Sequence, residues 1–142
     1  MNIASILAKK GANVVTSSPE RTIRQTLSLL ANHNIGAVVV VDDHTRPVGI
    51  VSERDIVRAL AKDETILARP VSTIMTRNLV LGVPQDDLMA VGHAMTERRI
   101  RHLPVVNDER LVGIVSIGDV VKHRMLEMEQ ETSQMRAYIA TG

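Results

Sequence analysis

The spacing of apolar residues predicts a helix, two strands and a second helix in the first half of the chain. Four apolar residues recur at helical spacing and would share one face: Ile23, Leu27, Leu30 and Ala31. Thr22 followed by Gln25 is a capping box that would open this helix. The β-branched run AVVVV at 37–41 and the stretch VGIVS at 48–52 predict two strands joined by a turn. SERDIVRALAKD then predicts a helix that begins at Ser52.

The second half of the chain predicts the same order of elements. A helix is expected from about Asp87 to Arg99, with three apolar residues on its inner face: Leu88, Val91 and Met95. LPVVN and LVGIV predict two more strands, and another helix is expected from Ser116. With a strand before the first helix of each half, both halves are predicted to run strand, helix, strand, strand, helix.

This agreement reflects an internal repeat. VGIVSERDIV at 48–57 returns as VGIVSIGDVV at 112–121, a shift of 64 positions, whereas Pro19 and Pro84 are 65 positions apart. The one-residue difference therefore lies in the turn between the two strands, where an insertion is tolerated. Short helices are also expected in ASILAKK and VSTIMTR, one before each copy.

Two copies of this size need a shared core, because about 50 residues bury an apolar sheet face poorly by themselves. The predicted fold class is α/β (α+β), with two β-α-β-β-α repeats packed sheet to sheet in pseudo-twofold symmetry and a long C-terminal helix. The predicted divisions are residues 1–65 for the first repeat with its N-terminal helix, 66–126 for the second with its preceding helix, and 127–142 for a helical extension.

The last helix is expected to continue past the second repeat. Five apolar residues follow a loose spacing of three and four along it, interrupted by Thr132: Val121, Met125, Met128, Met135 and Ile139. This face is suited either to packing on its own domain or to contact with a second copy or another partner. The pattern leaves both alternatives open.

Composition narrows the class of protein. Apolar residues make up 44% and charged residues 23% of the 142, a normal balance for a compact soluble domain. The net charge of +1 and a single aromatic residue, Tyr138, argue against nucleic-acid binding. The absence of cysteine favours a cytoplasmic protein, and no apolar run is long enough for a membrane helix. We therefore expect neither nucleic acid nor a membrane among its partners.

The repeated stretch contains the spacing Ser-x-x-Asp in both copies, at Ser52 and Asp55 and at Ser116 and Asp119. One interpretation is a capping box at the start of a helix. The other is a nucleotide site, because a helix N-terminus attracts phosphate and an acidic side chain can accept hydrogen bonds from ribose hydroxyls. The recurrence of the same two residues after the same strand favours the second.

With its two V-V-rich strands and two VGIVS..D stretches, the chain resembles a tandem pair of CBS (cystathionine β-synthase) domains over residues 1 to about 126, in particular small bacterial proteins made of a CBS pair alone. The resemblance implies a regulatory module rather than an enzyme. It implies an adenosyl ligand such as AMP, ADP, ATP, NAD(H) or S-adenosylmethionine, and no catalytic cofactor or metal. It also implies a homodimer formed through the CBS helices and an effector protein whose identity the sequence does not reveal.

The resemblance also assigns site residues. Asp55 and Asp119 would hold ribose hydroxyls, and Ser52 and Ser116 would lie near phosphate. The adenine would lie against residues of the strands, namely Thr16, Gly36, Ala37 and Val38 with their partners Leu81, His102 and Leu103. Phosphates would be held by Arg54, Arg101 and His102.

The two copies differ in chemistry, so we expect different affinities or different ligands at their sites. Gly36 and Ala37 of the first copy correspond to Arg101 and His102 of the second. Glu53 and Arg54 likewise correspond to Ile117 and Gly118. Both aspartates are present, so the sequence does not say which site binds more tightly.

Two other functions compete with that of a nucleotide sensor. An enzyme would have to rely on scattered histidines that lack metal-ligand spacing: His33, His44, His93, His102 and His123. The remaining alternative is a homodimeric protein-interaction scaffold with vestigial nucleotide clefts. The presence of Ser and Asp in both copies favours the sensor over the scaffold.

Overall fold

The element order follows the predicted repeat. A computed structural model of the chain describes residues 1–11 and 13–141. The first repeat contains β1 (Thr16–Ser17), α2 (Ile23–His33), β2 (Ala37–Val41), β3 (Pro47–Ser52) and α3 (Glu53–Lys62). It is preceded by α1 (Ile3–Lys10) and followed by two 3-10 turns, Glu64–Ala68 and Val71–Thr73. The second repeat contains α4 (Leu88–Arg98), β4 (His102–Asn107), β5 (Arg110–Ser116) and α5 (Ile117–Thr141). The mixed α and β class and the long C-terminal helix are confirmed.

Each repeat is built on an antiparallel hairpin. In the first, Ala37 pairs with Ser52, and β1 adds a parallel strand beside β2. In the second, His102 pairs with Ser116, the equivalent register. Both hairpins carry a register irregularity near the end of their first strand, and the turn of the first is one residue longer, as the change of offset predicted.

The strand expected at the start of the second repeat is reduced to one pairing residue, Gly82. It bridges Val105, with its N–H donating to Pro104 O and its carbonyl accepting from Val106 N. The ladder stops because Val83 N–H donates to the Asp86 carboxylate and Pro84 has no N–H.

The helix expected in VSTIMTR is also shorter than predicted. Only Val71–Thr73 forms a helical turn, of the 3-10 type. The chain leaves it because Thr76 exchanges two backbone hydrogen bonds with Ile50, at 2.9 and 3.0 Å, which require an extended backbone. Pairing with the sheet therefore replaces a second turn of helix.

The hydrophobic face of α2 differs from prediction in one residue. Ile23 and Leu30 are buried as expected, but Ala31 is exposed and Thr26 is fully buried instead. The hydroxyl of Thr26 forms a hydrogen bond with that of Ser17 on β1, at 3.3 Å. This pairing satisfies both polar groups, which allows a threonine to occupy a core position.

The segments that precede the two repeats are exchanged between them. Although α1 precedes the first repeat in sequence, Ile3 and Ile6 are fully buried in the hydrophobic core of the second. The linker segment in turn contributes Val71 and Met75 to the core of the first repeat. Leu7 lies over Gly113, and Met75 lies over the equivalent Gly49. The two cores are therefore tied together by segments that cross from one repeat to the other.

The last helix extends well beyond these cores. Every residue from Met128 to Ala140 is exposed, so the C-terminal part of α5 contributes no residue to either core. None of the helices in the described part of the chain combines the length and hydropathy that a membrane span requires.

Candidate functional site

The Ser-x-x-Asp motif forms a capping box in both repeats. In the first, Ser52 Oγ accepts from Asp55 N at 3.2 Å, and Asp55 Oδ2 accepts from Ser52 N at 2.8 Å. The corresponding distances in the second repeat are 3.0 Å at Ser116 Oγ and 2.9 Å at Asp119 Oδ2. The structural interpretation of the motif is therefore correct. It does not exclude the functional one, because the capping bond uses one carboxylate oxygen and a carboxylate has about four acceptor positions.

Asp55 lies in a cleft between the two repeats, which we call the first cleft. Its volume is about 510 Å³, within the range of roughly 300–1,000 Å³ that is typical of small-molecule sites. The first repeat contributes Gly36, Ala37, Ile50, Ser52, Glu53, Arg54, Asp55 and Arg58. The linker contributes Thr76, and the second repeat contributes Arg99, Ile100, Arg101 and His102. The wall beside Asp55 is thus built by one repeat, and the facing wall by the other.

Positive charge dominates the first cleft. Four arginines line it, Arg54 and Arg58 from α3 and Arg99 and Arg101 from the loop after α4, against the two acids Glu53 and Asp55. The N-terminus of α3 opens into the same space, and its dipole adds partial positive charge although Glu53 N–H donates to Gly36 O and Asp55 N–H to Ser52 Oγ. Guanidinium groups and a helix N-terminus together favour an anion that bears several oxygens, such as a phosphate.

His102 lies where the two repeats meet. Its Nε2 is 3.8 Å from the position that a β-carbon on Gly36 would occupy, so His102 of the second repeat lies directly opposite Gly36 of the first. Burial lowers the pKa of His102, and the neighbouring charges of Lys10 and Arg101 lower it further. Asp119 and Glu53 act in the opposite direction but do not outweigh them. The imidazole is therefore neutral at neutral pH.

We call the equivalent position in the second repeat, around Ser116 and Asp119, the second site. There a lysine of the same chain binds the aspartate. Lys10, at the end of α1, donates from Nζ to Asp119 Oδ2 at 2.8 Å and to Ile114 O at 3.0 Å. Burial alone would raise the pKa of Asp119, but the hydrogen bonds from Lys10 and Ser116 and the charge of Lys10 hold it below its usual range. Among the described residues Asp55 has no comparable ion pair.

The first cleft brings together seven of the thirteen residues predicted for the site: Gly36, Ala37, Ser52, Arg54, Asp55, Arg101 and His102. Ser116 and Asp119 form the second site. The remaining four lie outside the lining of the first cleft. Val38 and Leu103 are buried in the two cores, Thr16 pairs with Val39 on β1, and Leu81 is exposed before Gly82.

Two arginines of the first cleft were not predicted. Arg58 is one helical turn beyond Arg54 and Asp55, so the predicted helix already placed it on the same face. Arg99 ends α4 in the left-handed conformation, with φ of 56°, as Asn34 ends α2 with φ of 52°. The alignment of Asn34 with Arg99 indicates that both helices end in the same way, but nothing in the sequence indicates that Arg99 lines the cleft.

Comparison with known proteins agrees with the geometry. The CBS domain family matches residues 4–62 and 71–126. The mitochondrial CBS domain-containing protein CBSX3 of Arabidopsis thaliana is 32% identical over 149 residues, which cover 99% of this chain and 72% of that protein.

Solved structures share the fold. The crystal structure of the CBS-domain containing protein ATU1752 from Agrobacterium tumefaciens is 41% identical and has a TM-score of 0.82, covering 87% of this chain and 99% of that one. The CBS domain pair of protein MJ0100 was solved in complex with 5′-methylthioadenosine and S-adenosyl-L-methionine. It is 29% identical, with a TM-score of 0.80, and covers 89% of this chain and 98% of that one.

Proposed function

Because this chain belongs to the CBS domain family, as its tandem repeat predicted, we propose that it is a regulatory module that binds an adenine nucleotide in the first cleft. The ligand is AMP, ADP, ATP or NAD(H). Binding changes the conformation of the pair or its affinity for an effector protein. CBS pairs of this kind are generally regulatory rather than catalytic.

The observation that carries this proposal is the position of one carboxylate among several cations. Asp55 is fixed by Ser52 N–H at 2.8 Å, so its orientation is set before a ligand arrives. Ribose hydroxyls are suitable donors to this carboxylate, while Arg54 and Arg58 on the same helix can bind the phosphate. A carboxylate and two guanidinium groups on the same helix suit a ligand that carries both hydroxyl groups and phosphate.

Both repeats contribute residues to the first cleft, which supports a regulatory role. A phosphate bound between α3 and the loop at Arg99 and Arg101 would contact the two repeats at once. Its binding energy would then depend on their separation, and a ligand shifts a conformational equilibrium by such differential affinity. The related pair MJ0100 binds two adenosine-containing ligands, which supports an adenosyl ligand here.

We further propose that two copies associate through the CBS helices. Val57 on α3 and Val121 on α5 occupy equivalent places in the two repeats, and both are more than half exposed. Apolar residues at matched positions on neighbouring units favour an interface over chance exposure. The effector protein and the cytoplasmic location stay predictions from the sequence.

The test is thermal unfolding of nucleotide-free protein with adenosine, AMP, ADP, ATP, NAD⁺, NADH and S-adenosylmethionine, beside GMP and GTP as matched controls for phosphate charge. At about 100 times its dissociation constant, a ligand adds roughly 2.7 kcal/mol to the free energy of unfolding. We expect stabilisation by one or more adenine nucleotides and little by the guanine nucleotides. Equal stabilisation by GMP and AMP would show a phosphate site without base recognition. No stabilisation by any ligand, in a protein that unfolds cooperatively, would favour the scaffold function.

A further inference from the structure

The C-terminal part of α5 extends beyond both hydrophobic cores of its own domain. The family match ends at residue 126, yet the helix continues to Thr141, and each residue from Met128 to Ala140 is exposed. A helix of this length is marginal in water when nothing packs against it. A contact with a surface outside this chain would therefore stabilise it.

One face of this helix carries a regular apolar series, which we call the C-terminal stripe: Val121, Met125, Met128, Thr132, Met135 and Ile139. The intervals alternate between four and three residues without exception. The five apolar members are all exposed, from 51% at Val121 to 72% at Ile139. A repeat of 3.5 residues matches the seam between two supercoiled helices, whereas a helix on a globular core typically shows a wider apolar face.

Charges beside the stripe identify the occupant as a second copy of the same helix. Arg124 and Glu131 flank one side, and Glu129 and Arg136 flank the other. In a parallel, in-register pair the flanking residues meet five positions apart. Arg124 then faces Glu129 of the other copy, and Glu131 faces Arg136, so both contacts join opposite charges. Arg124 already binds Glu127 at 2.7 Å, but a guanidinium has five N–H donors and can hold both carboxylates.

The antiparallel arrangement brings like charges together. The stripe is centred near residue 130, so reversing one helix places Glu129 opposite Glu129 and Glu131 opposite Glu131 of the second copy. Like charges at these flanking positions disfavour a pairing. The sequence thus distinguishes the two orientations.

We propose that α5 of two copies associates in parallel and in register along the C-terminal stripe, forming a two-stranded coiled coil that extends from the second repeat. Val121 is shared with the CBS-helix surface, so the coiled coil continues the same contact between copies. This interface is independent of nucleotide binding, and its test requires no ligand.

The absence of cysteine from the chain permits a clean test with single-cysteine variants of the full protein. In a parallel pair, residue 135 of one helix lies beside residue 135 of the other, within the roughly 4.4–6.8 Å between Cα atoms that a disulfide requires. We expect Met135→Cys to form a disulfide-linked dimer on mild oxidation. Gln130→Cys is the matched control, because residue 130 lies on the outer face and should remain unlinked.

Orientation and register are tested by two further comparisons. Mixing Met125→Cys with Met135→Cys should give mainly homodimers; a preferred link between residues 125 and 135 would establish the antiparallel pair and overturn the proposal. Arg136→Glu should reduce the yield of the Met135→Cys link, and adding Glu131→Lys should restore it. An unlinked Met135→Cys variant, a yield unaffected by Arg136→Glu, or equal linking at residues 130 and 135 would each overturn it.

Discussion

The first cleft and the second site share the same capping box, but their aspartates have different surroundings. Both aspartates hold a backbone N–H of the preceding serine at nearly the same distance, 2.8 Å at Asp55 and 2.9 Å at Asp119. Asp55 faces an open cavity with four arginines, whereas Asp119 is bound by Lys10. A repeated local motif therefore does not imply an equivalent binding site, because the neighbouring segments decide which groups contact the carboxylate.

The difference arises from the segments that cross between repeats. The linker before the second repeat places Thr76 beside the first cleft, where its small side chain leaves room. The segment before the first repeat, α1, ends with Lys10 beside Asp119. The two repeats therefore match in their hairpins and in the capping box, but they differ in the side chain that each crossing segment places beside the aspartate. We expect the first cleft to bind ligand more tightly.

The strongest expected effect is the loss of binding after Asp55→Ala. Two charge-assisted hydrogen bonds from ribose hydroxyls would be lost, so affinity should fall about a hundredfold, or roughly 2.7 kcal/mol. Asp119→Ala removes the same capping bond in the second repeat and should leave the tight site unchanged. Isothermal titration calorimetry with the best nucleotide measures both. A larger loss of affinity in Asp119→Ala would reverse the assignment of the two sites.

The second largest effect is expected on the free energy of unfolding, after substitution of Gly49 or Gly113. A β-carbon at Gly113 would overlap Leu7, and one at Gly49 would overlap Met75. Each glycine-to-alanine change should reduce the free energy of unfolding by about 1–3 kcal/mol, measured in urea.

Double variants test whether the crossing segments lie where the structure places them. Leu7→Ala should relieve part of the cost of Gly113→Ala, so the two effects should be less than additive. Met75→Ala is the matched control and should add independently to Gly113→Ala. Coupling of Gly113 to Met75 instead of Leu7 would mean that each segment packs on its own repeat.

A smaller effect is expected at the second site from Lys10→Met. Removing the ammonium frees Asp119 and should strengthen ligand binding there by about tenfold, or roughly 1.4 kcal/mol. Lys9→Met, which changes an exposed neighbour by the same amount of charge, is the control. The titration should show a second binding event in Lys10→Met alone.

The same variant has a readout that needs no ligand. Without Lys10, the pKa of Asp119 should rise, because the burial that raises it would no longer be opposed by the lysine. Carboxyl chemical shifts followed by NMR from pH 2 to 6 measure this directly. An unchanged pKa would show that the ion pair does not form in solution, whatever the ligand does.

The sequence predicted the structure correctly where a pattern involves residues close together in the chain. It did not predict contacts that join separate segments. The Thr22–Gln25 box, both hairpins and the start of α3 were predicted from residues a few positions apart and are confirmed. The ion pair between Lys10 and Asp119 joins residues 109 positions apart, and nothing near either residue indicates it. Thr26 was missed for the same reason, because its partner Ser17 is what makes a threonine acceptable in the core.

The smallest expected effect is a pH dependence of binding that resides in His102. Its lowered pKa makes it neutral in the free protein, but a phosphate in the first cleft would favour the imidazolium and raise that pKa. Binding would then take up a proton, so affinity for AMP should increase as the pH falls from 8 toward 6, by about threefold beyond the change that the phosphate itself causes.

His102→Gln separates the two contributions, because the variant keeps a polar side chain without a titratable ring. We expect the AMP affinity of the variant to follow only the ionisation of the phosphate, while adenosine, which has none, should bind wild type and variant with the same pH profile. The proton uptake itself is measurable as a buffer-dependent heat in calorimetry. Identical AMP profiles for wild type and His102→Gln would mean that the phosphate does not reach His102 and lies instead against Arg54 and Arg58, the wall built by the first repeat alone.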